Sequence, residues 1–430
     1  MFNVQNSRVW LPGDPGFDDA RQPWNLAVEQ PVAAVVEAGD AEDVAAVVRS
    51  ARAEGLGVTT QPNGHGATGR TDEGVVLLRT GRLDSVTVDP VTARARVGAG
   101  VPSGRLQAAA AAHGLTGLPG SSPVVSVTGV ALGGGVSWFG RAHGWVADSV
   151  TAFDIVDAAG ERRRVTDGEL FWALRGGGGD FAVVTGLELA LHPAPRLYGG
   201  RVLWAGEHAP SVVDAFRRIT ADAPNELTVW LDLLHFPGAE PMVAVDATYL
   251  GDAGEARELL APLDRLPQPL SDSRRVMAVS ELGGITAEPT APSAGSSRAE
   301  LLTELTDTTA KTLLADPIAP LMSVQVRHLG GAFTQPSDSP HGPLTEPYLA
   351  YLFGIPGDGV TVRQRDLAAA LPVSGRKPFT FLNPAETAAD AFAPDTLLRL
   401  QDIKHRHDPD GVFRSNFPVS TSDTFGHAER

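Results

Sequence analysis

Glycine is concentrated in three short stretches in the first half of this 430-residue chain. They cover residues 64–69, 129–135 and 176–179, and the second holds four glycines within seven residues. Glycine costs roughly 1 kcal/mol per helical position relative to alanine, so helix design alone does not explain this density. The missing side chains are needed either for tight packing of a helix on a sheet or for a large planar ligand that lies against the backbone.

Charge and residue usage exclude several classes of protein. The chain has 35 basic and 51 acidic residues, and the net charge of -16 disfavours binding to nucleic acid or anionic lipid. Cysteine is absent, which excludes disulfides, thiolate metal sites and cysteine nucleophiles. Neither a leader-like start nor an apolar run of about 18 residues is visible. The sequence therefore predicts a cytoplasmic protein that binds neither nucleic acid nor membrane.

The first half of the chain combines a β-α-β unit with short strands. Residues 32–60 read as strand, helix and strand, with Asp40 as the N-cap of the helix and Gly55 at its end. Short alternating segments follow at 75–78, 86–88 and 93–97, which disfavours a purely parallel sheet. Helical spacing then predicts one glycine-dense helix over about 127–141.

Composition changes at residues 192–195, which read H-P-A-P and indicate a domain boundary. Beyond it, alternating apolar residues predict an antiparallel sheet with strands near 230–234, 242–249 and 323–327. Apolar residues at helical spacing predict helices near 211–221, 253–260, 299–314 and 394–407. The second half is therefore expected to form a separate α+β domain.

The first glycine stretch reads G-H-G-A-T-G at 64–69 and matches the dinucleotide fingerprint G-x-G-x-x-G. That motif must open a helix, whereas residues 70–78 read as loop and strand, so we do not expect Rossmann binding of NAD. The loop still offers backbone N–H groups that could wrap a diphosphate, with a plain glycine turn as the alternative. His65 lies between two glycines and can approach a flat ligand closely, unless it is only a turn residue.

Other catalytic templates are absent from the sequence. It contains no G-x-S-x-G elbow, no H-E-x-x-H and no G-x-x-x-x-G-K-[ST]. His405 and His407 are two apart on a predicted helix and so lie on different faces. No metal site is expected.

Several motifs, in order, resemble one family. They are N-G-H-G at 63–66, G-S-S-P at 120–123, L-G-G-G-V-S-W at 132–138, E-L-F-W-A-L-R-G-G-G-G-D-F at 169–181 and D-P-D-G-V-F at 408–413. Together they resemble the FAD-linked oxidases related to berberine bridge enzyme, within the vanillyl-alcohol-oxidase superfamily. The resemblance covers nearly the whole chain, and several motifs at family-like spacing are far more specific than any one of them.

The resemblance implies an α+β fold of two domains, with a PCMH-type FAD-binding domain around a central substrate domain. The FAD domain would comprise residues 1–195 and 378–430, and the substrate domain, an antiparallel sheet flanked by helices, residues 196–377. It also implies a bond from His65 to the 8α-methyl carbon of the flavin. The implied FAD-binding residues are Asn63, Gly64, His65, Gly66, Gly120, Ser121, Ser122, Val127, Gly129, Gly133, Gly134, Gly135, Trp138, Asp148, Val183, Val184 and Asn383.

Two departures from the family pattern bear on the chemistry. Many relatives have a cysteine at the position of Ser122 that forms a second link to the flavin, so attachment here is expected through His65 only. Phe381 stands where the family often has a tyrosine that serves as catalytic base, and a phenyl ring cannot take a proton. His143, or Arg327 and His328 on the central sheet, are candidates for the missing base, with Gln325 and Arg327 orienting the substrate near Asn383.

The resemblance implies an FAD-dependent oxidoreductase that acts on a small organic substrate. The substrate would lose a hydride to flavin N5, and dioxygen would reoxidise the flavin and give hydrogen peroxide. A flavin-dependent monooxygenase or oxidative cyclase on the same scaffold remains an alternative. The missing tyrosine also leaves open a flavoprotein that binds or sequesters a small toxic compound.

Overall fold

The computed structural model describes residues 4–420. Within this range, the first sheet has the strand order Arg8–Trp10, Ala34–Glu37, Val75–Arg79 and Gly57–Thr60. The last three strands are parallel, and helix Ala41–Ala53 connects the two outer ones of these three. Asp40 caps that helix as predicted, because its Oδ1 accepts from the backbone N–H groups of Glu42 and Asp43.

A second sheet is antiparallel and packs beside the first. Its strand order is Val86–Asp89, Arg94–Gly98, Val183–Ala190, Val150–Val156 and Arg162–Val165. A short pair, Leu115–Thr116 with His192–Pro193, lies nearby. The expectation that the first half is not a purely parallel sheet is confirmed.

The largest sheet belongs to the second half of the chain and is antiparallel throughout. Its strand order is Ser271–Asp272, Tyr198–Ala205, Met242–Tyr249, Leu227–Leu234, Ser323–His328, Tyr348–Gly354 and Ser296–Leu302, with Arg275–Val276 also on Tyr198–Ala205. Four helices cover one face, namely Ala209–Ala221, Ala253–Asp264, Asp307–Leu314 and Asp358–Ala370. The opposite face points towards the first half of the chain and carries the polar side chains described below.

The other α-helices of the described residues are Phe17–Arg21, Ser103–Ala111, Val127–Leu132, Gly140–His143, Gly168–Leu174, Gly283–Thr286 and Pro394–His407. Short 3-10 turns span Val146–Ser149, Gly206–His208, Val279–Glu281, Gly331–Thr334, Phe379–Phe381 and Ala388–Asp390. None of the helices within residues 4–420 is long and apolar enough to cross a lipid bilayer.

Two predicted helices are wrong in extent. The helix expected over 127–141 ends at Leu132, because Gly134 and Gly135 have φ angles of +89° and +77° that an α-helix does not allow. The helix expected over 299–314 is a strand, Ser296–Leu302, followed by the helix Asp307–Leu314. Seven residue pairs in register with Tyr348–Gly354 override the helical spacing of its apolar residues.

The C-terminal segment returns to the first sheet. The backbone N–H of Val58 donates to Val412, and that of Arg414 donates back to Val58. Lys404 is buried, pairs with Asp408 at 2.7 Å and donates to the backbone oxygen of Asp180 at 2.6 Å. These contacts join the two ends of the chain and support, as a proposal, an FAD domain made of 1–195 and 378–430 around a substrate domain of 196–377.

Candidate active site

A cavity of about 720 Å³ lies where the loops of the first half, the large sheet and the C-terminal segment meet. Its walls include the sequence-predicted residues Asn63, Gly64, His65, Gly66, Gly120, Ser121, Ser122, Gly129, Gly133, Val184, Gln325 and Arg327. Residues from distant parts of the sequence therefore meet in one space. The first and second glycine stretches both contribute residues to its walls.

His65 lies in the loop that follows strand Gly57–Thr60. Its imidazole stacks on the indole of Trp24, with the ring centroids 4.1 Å apart and the planes 19° from parallel. Both ring nitrogens are buried and lack a hydrogen-bond partner within the described residues. Burial lowers the pKa of His65 to about 4, so the ring is neutral at pH 7 and keeps a nitrogen lone pair for a ligand.

The loop around His65 packs closely against two other segments, at Pro23 and at Val124. Gly64 has a φ of +80°, and a Cβ there would lie 2.8 Å from Cβ of Pro23. The side-chain amide of Asn63 donates to the backbone oxygen of Val124 at 2.7 Å, which ties this loop to the second one. Both His65 of the first loop and Ser122 of the second line the cavity.

The second loop leaves open space beside its backbone. A Cβ at Gly120 would meet no atom within 4 Å, so the absent side chain leaves part of the cavity free. Ser122 follows with a buried hydroxyl that has no partner in the described chain. Ser126 caps helix Val127–Leu132 by accepting from the N–H of Gly129 at 3.1 Å, which directs the start of the helix at the cavity.

Unsatisfied polar atoms are concentrated around this cavity. Eight buried side-chain atoms of its lining have no hydrogen-bond partner in residues 4–420: Trp24 Nε1, both ring nitrogens of His65, Thr80 Oγ1, Ser122 Oγ, Thr128 Oγ1, Thr286 Oγ1 and Ser415 Oγ. A buried polar group without a partner costs about 1–3 kcal/mol. The protein alone leaves these groups unpaired, as expected of a site that binds a large ligand with many polar atoms.

Part of the glycine cluster serves packing. Gly134 and Gly135 do not line the cavity, and a Cβ on Gly134 would lie 2.4 Å from Nε2 of His341. A Cβ on Gly176 would also approach the His341 ring, at 2.9 Å. His341 is buried between them and bonds through Nε2 to the backbone oxygen of Gly133 at 3.2 Å. Gly134 and Gly176 therefore make room for the side chain of His341, which comes from the second half of the chain.

Trp138 is likewise buried away from the cavity. Its indole stacks on Trp230 of the large sheet, with the centroids 3.5 Å apart and the planes 13° from parallel. Trp230 in turn lies beneath the guanidinium of Arg327, at 4.1 Å. Trp138 therefore supports a cavity residue through one intermediate ring and does not itself reach the cavity.

Four other predicted cofactor residues lie outside the cavity lining for different reasons. Val127 and Val183 are buried in apolar cores. Asp148 accepts from Ser337 and pairs with Arg175 at 3.3 Å, while burial raises the pKa of its carboxyl. Asn383 closes a turn, because its Oδ1 accepts from the N–H of Ala385 at 2.9 Å.

The predicted histidine bases do not reach the cavity. His143 stacks on His192 at 3.9 Å, and burial lowers its pKa. His328 lies within 3.0 Å of the Arg141 guanidinium, and burial together with that charge lowers its pKa to about 3. Neither residue contributes to the cavity wall, because the His143 ring packs on His192 and the His328 ring packs against Arg141.

The cavity face of the large sheet carries a polar patch that follows from strand register. Asp232 is directly opposite Gln325, which is opposite Tyr351 on the next strand. Side chains at such positions lie about 4.5–5.5 Å apart at Cβ, and residues two apart on a strand share a face. Arg327 and Ser323 therefore extend the patch on either side of Gln325.

Asp232 is the buried carboxyl of this patch. Its Oδ1 accepts from the hydroxyl of Ser323 at 2.6 Å, and its Oδ2 lies 3.3 Å from the guanidinium of Arg201. Arg201 makes its closer pair with Asp246, at 2.6 Å. Burial raises the pKa of Asp232 to about 7, Arg201 opposes that rise, and the neighbouring Asp246 adds to it.

Arg327 is surrounded by aromatic rings. Besides Trp230, its guanidinium lies 5.5 Å from the ring of Tyr351 and 5.3 Å from that of Phe381. Its Nε donates to Oε1 of Gln325 at 2.5 Å. Burial lowers the pKa of Arg327, and a guanidinium remains charged near neutral pH, so it is a binding group and not a base.

Several cavity residues escape sequence reasoning. Among them are Arg201, Asp232, Glu288 and Tyr351 of the second half of the chain, and Ser415, Asn416 and Phe417 of the C-terminal segment. A signal existed for Asp232, since it is a lone charge in the apolar strand L-T-V-W-L-D-L-L at 227–234. Buried charges are rare unless paired or functional. No local pattern marks residues 415–417, because only the return of the chain brings them to the first loop.

Known proteins resemble this chain in sequence and in fold. Residues 32–166 match a family model described as an FAD binding domain. The chain is 31% identical over 452 aligned positions to (R)-6-hydroxynicotine oxidase of Paenarthrobacter nicotinovorans, covering 97% of both chains. Its fold superposes on a crystal structure of 6-hydroxy-D-nicotine oxidase from Arthrobacter nicotinovorans with a TM-score of 0.85 at 26% identity, over 98% of this chain and 99% of the other.

Two further structures share the fold at lower identity. They are BBE-like 1 of Physcomitrella patens, with a TM-score of 0.84 at 18% identity over 96% and 97% of the two chains, and a variant of berberine bridge enzyme, with 0.81 at 17% over 97% and 98%. Through its 31% identical relative, the chain belongs to the FAD-linked oxidoreductases. It shares the fold of berberine bridge enzyme-like, PCMH-type proteins.

The residues present fit FAD. Eight unpartnered polar atoms, a glycine with open space beside it and a neutral histidine in the predicted attachment loop lie around one cavity. Asn63, Gly64, Gly66 and Ser121 would hold the cofactor at one wall, and Gly129, Gly133 and Val184 at another. The patch on the large sheet lines the rest of the cavity.

Proposed function

We propose that this chain is an oxidase that carries FAD covalently on His65 alone and dehydrogenates a small organic substrate. The proposal rests on one observation, the neutral imidazole of His65 whose two buried nitrogens have no partner in the described chain. Bound FAD would supply a hydride acceptor for the substrate, and dioxygen would be the final oxidant and give hydrogen peroxide. Ser122 has no thiol and cannot form the second link found in many relatives.

The relatives support the reaction class. The 31% identical protein is named as an oxidase. We propose the same class of reaction for this chain, without assigning to it the substrate of that protein. The substrate would lie against the patch formed by Asp232, Gln325, Arg327 and Tyr351, between that sheet and the flavin loops. Phe381 closes the same space with an apolar ring and supplies no proton acceptor.

Asp232 is the proton acceptor in this proposal. A general base works best when its pKa lies close to the working pH, and burial raises that of Asp232 to about 7. Ser323 and Arg201 hold its two oxygens in place, and both can stabilise the carboxylate. Gln325 is its cross-strand neighbour and is bonded to Arg327, so substrate binding and proton removal share one row of the sheet.

Two measurements test the cofactor and the reaction. The visible spectrum of purified protein, before and after acid precipitation, reports whether flavin is present and whether it stays with the polypeptide. Oxygen uptake and peroxide release are then followed over a panel of small alcohols and amines. Stoichiometric peroxide is expected; flavin that binds compounds without turnover would instead favour a sequestering role, and an oxygenated product would favour a monooxygenase.

A pH profile tests the base. Because the acid form of Asp232 predominates below about pH 7, the rate of anaerobic flavin reduction by the best substrate of the panel is expected to rise with pH through that value. Asp232→Asn is expected to lower the rate by about 10²–10⁴ and to flatten the profile. His143→Ala, outside the cavity, is the control and is expected to leave the profile unchanged. A wild-type profile kept by Asp232→Asn contradicts the assignment.

A further inference from the structure

Arg327 carries a buried positive charge without an acidic partner. It is 5% exposed, and its hydrogen bond within the described chain runs from Nε to Gln325. No carboxylate of residues 4–420 forms an ion pair with it, in contrast to Arg201 in the same patch, which pairs with Asp246 and Asp232. A buried charge is costly unless it is paired. The terminal nitrogens of Arg327 therefore need an acceptor that the described chain does not provide.

The nearby acidic groups are engaged elsewhere or more exposed. Asp246 binds Arg201 through both oxygens, and Asp232 accepts from Ser323 and Arg201. Glu288 also lines the cavity, but it is half-buried on the segment after helix Gly283–Thr286 and forms no ion pair with Arg327. Their fields lessen the cost of the Arg327 charge without occupying its N–H groups.

The rings around Arg327 determine which directions remain for a ligand. A guanidinium that stacks on an aromatic face uses its flat side for that contact and keeps its N–H groups for acceptors in its own plane. Trp230, at 4.1 Å, is the closest of these rings, and it is itself held by Trp138. A planar carboxylate matches two parallel N–H groups of such a fork.

We propose that Arg327 binds a carboxylate of the substrate, so that the oxidised compound is a small organic acid with an apolar or aromatic body. This inference rests on the proposed function, since it assigns a substrate class to the same cavity. The apolar body would lie against Tyr351 and Phe381, which form the walls beside Arg327. The carboxylate would supply the missing partner of the guanidinium.

Three aromatic probes of similar shape test the proposal in the flavin-loaded protein. Benzoate is anionic, benzamide is neutral and benzylamine is cationic, and their affinities are measured by calorimetric titration at pH 8. We expect benzoate to bind at least tenfold more tightly than either of the others. Equal binding of benzoate and benzamide, or tighter binding of benzylamine, overturns the proposal without any variant.

Variants then connect the preference to Arg327. Arg327→Met is expected to bring benzoate to within twofold of benzamide, and Arg327→Lys to keep part of the preference because the charge remains without the fork. Arg96→Met, at an exposed arginine of the second sheet, is the matched control and should bind like the wild type. An unchanged preference in Arg327→Met overturns the assignment.

The outcome is separable from the proposed function. A flavin-loaded protein that releases no peroxide over the panel but prefers benzoate would reject the oxidase proposal and keep an anion site at Arg327. A protein with covalent flavin and no preference for benzoate would keep the oxidase and reject the substrate class.

Discussion

Two histidines lie among glycines in this protein, and the surroundings of their rings differ. His65 is flanked by glycines in the first loop, and both of its ring nitrogens are unpaired in the described chain. His341 lies between Gly134 and Gly176, stacks on Trp145 at 4.7 Å and bonds to the backbone of Gly133. Burial lowers the pKa of both rings to about 4. The two rings differ in their hydrogen bonds, because His341 is bonded to the backbone and His65 is unpaired on the wall of the cavity.

The largest expected difference between the two histidines concerns the flavin. His65→Ala is expected to release all of its flavin on acid precipitation. The residues on either side, Gly64 and Gly66, have no side chain that could bond to the flavin in its place. His341→Ala is expected to yield less folded protein, but the fraction that folds is expected to keep its flavin on acid precipitation. The measurement is the absorbance of pellet and supernatant. Acid-stable flavin in His65→Ala would contradict the assignment of His65, and not His341, as the attachment residue.

The glycines beside the two sites should respond differently to a methyl group. Gly134→Ala is expected to lower the free energy of unfolding by about 2–4 kcal/mol, because it combines a positive φ with a clash against His341. Gly120→Ala, where a Cβ meets nothing within 4 Å, is expected to change it by no more than about 0.5 kcal/mol. Denaturant unfolding of the flavin-free proteins measures both. Equal losses would mean that Gly120 and Gly134 have the same role.

Acid is expected to lower the free energy of unfolding through protonation of His341 in a defined pH range. The folded pKa of His341 is lowered to about 4, so its contribution to stability is complete above its unfolded pKa of about 6.5 and is lost as the pH falls towards 4. We expect this histidine to contribute about 2 kcal/mol to the loss of stability between pH 7 and pH 5. His341→Phe is expected to reduce that loss, whereas His192 and His328 continue to contribute. An unchanged slope in His341→Phe would contradict the assignment.

The smallest expected effect on the protein is that of adding a second covalent link to the flavin at the second loop. The Ser122 hydroxyl has no hydrogen-bond partner in the described chain, so Ser122→Cys is expected to leave stability nearly unchanged. The new thiol lies on the cavity wall and is expected to form a second link to the flavin, detected by peptide mapping with mass spectrometry. Ser122→Ala is the control. A flavin linked to Ser122 in the wild type would overturn attachment through His65 alone.

Some parts of this protein follow from local sequence. The helix at Asp40, the strand Met242–Tyr249 and the helix Pro394–His407 lie where spacing and capping residues predict them. Ordered motifs at family-like spacing are sufficient to identify the FAD-linked oxidoreductases and the α+β fold. Motifs of this kind are readable because the residues that build each loop are consecutive in sequence, whether they line the cavity or pack behind it.

Other parts were decided by tertiary structure, because they depend on residues that are distant in sequence. His143 is a reasonable base by residue type, yet its ring stacks on His192 outside the cavity. Gly134 and Trp138 pack against side chains from the second half, His341 and Trp230, and no pattern near either residue reveals that partner. The sequence alone determined that His65 lies between two glycines after a predicted strand, and it predicted a loop that could meet a ligand, with a plain turn as the alternative. Strand register brought Asp232, Gln325 and Arg327 together, because the pairing of strands is set by the whole sheet and its packing.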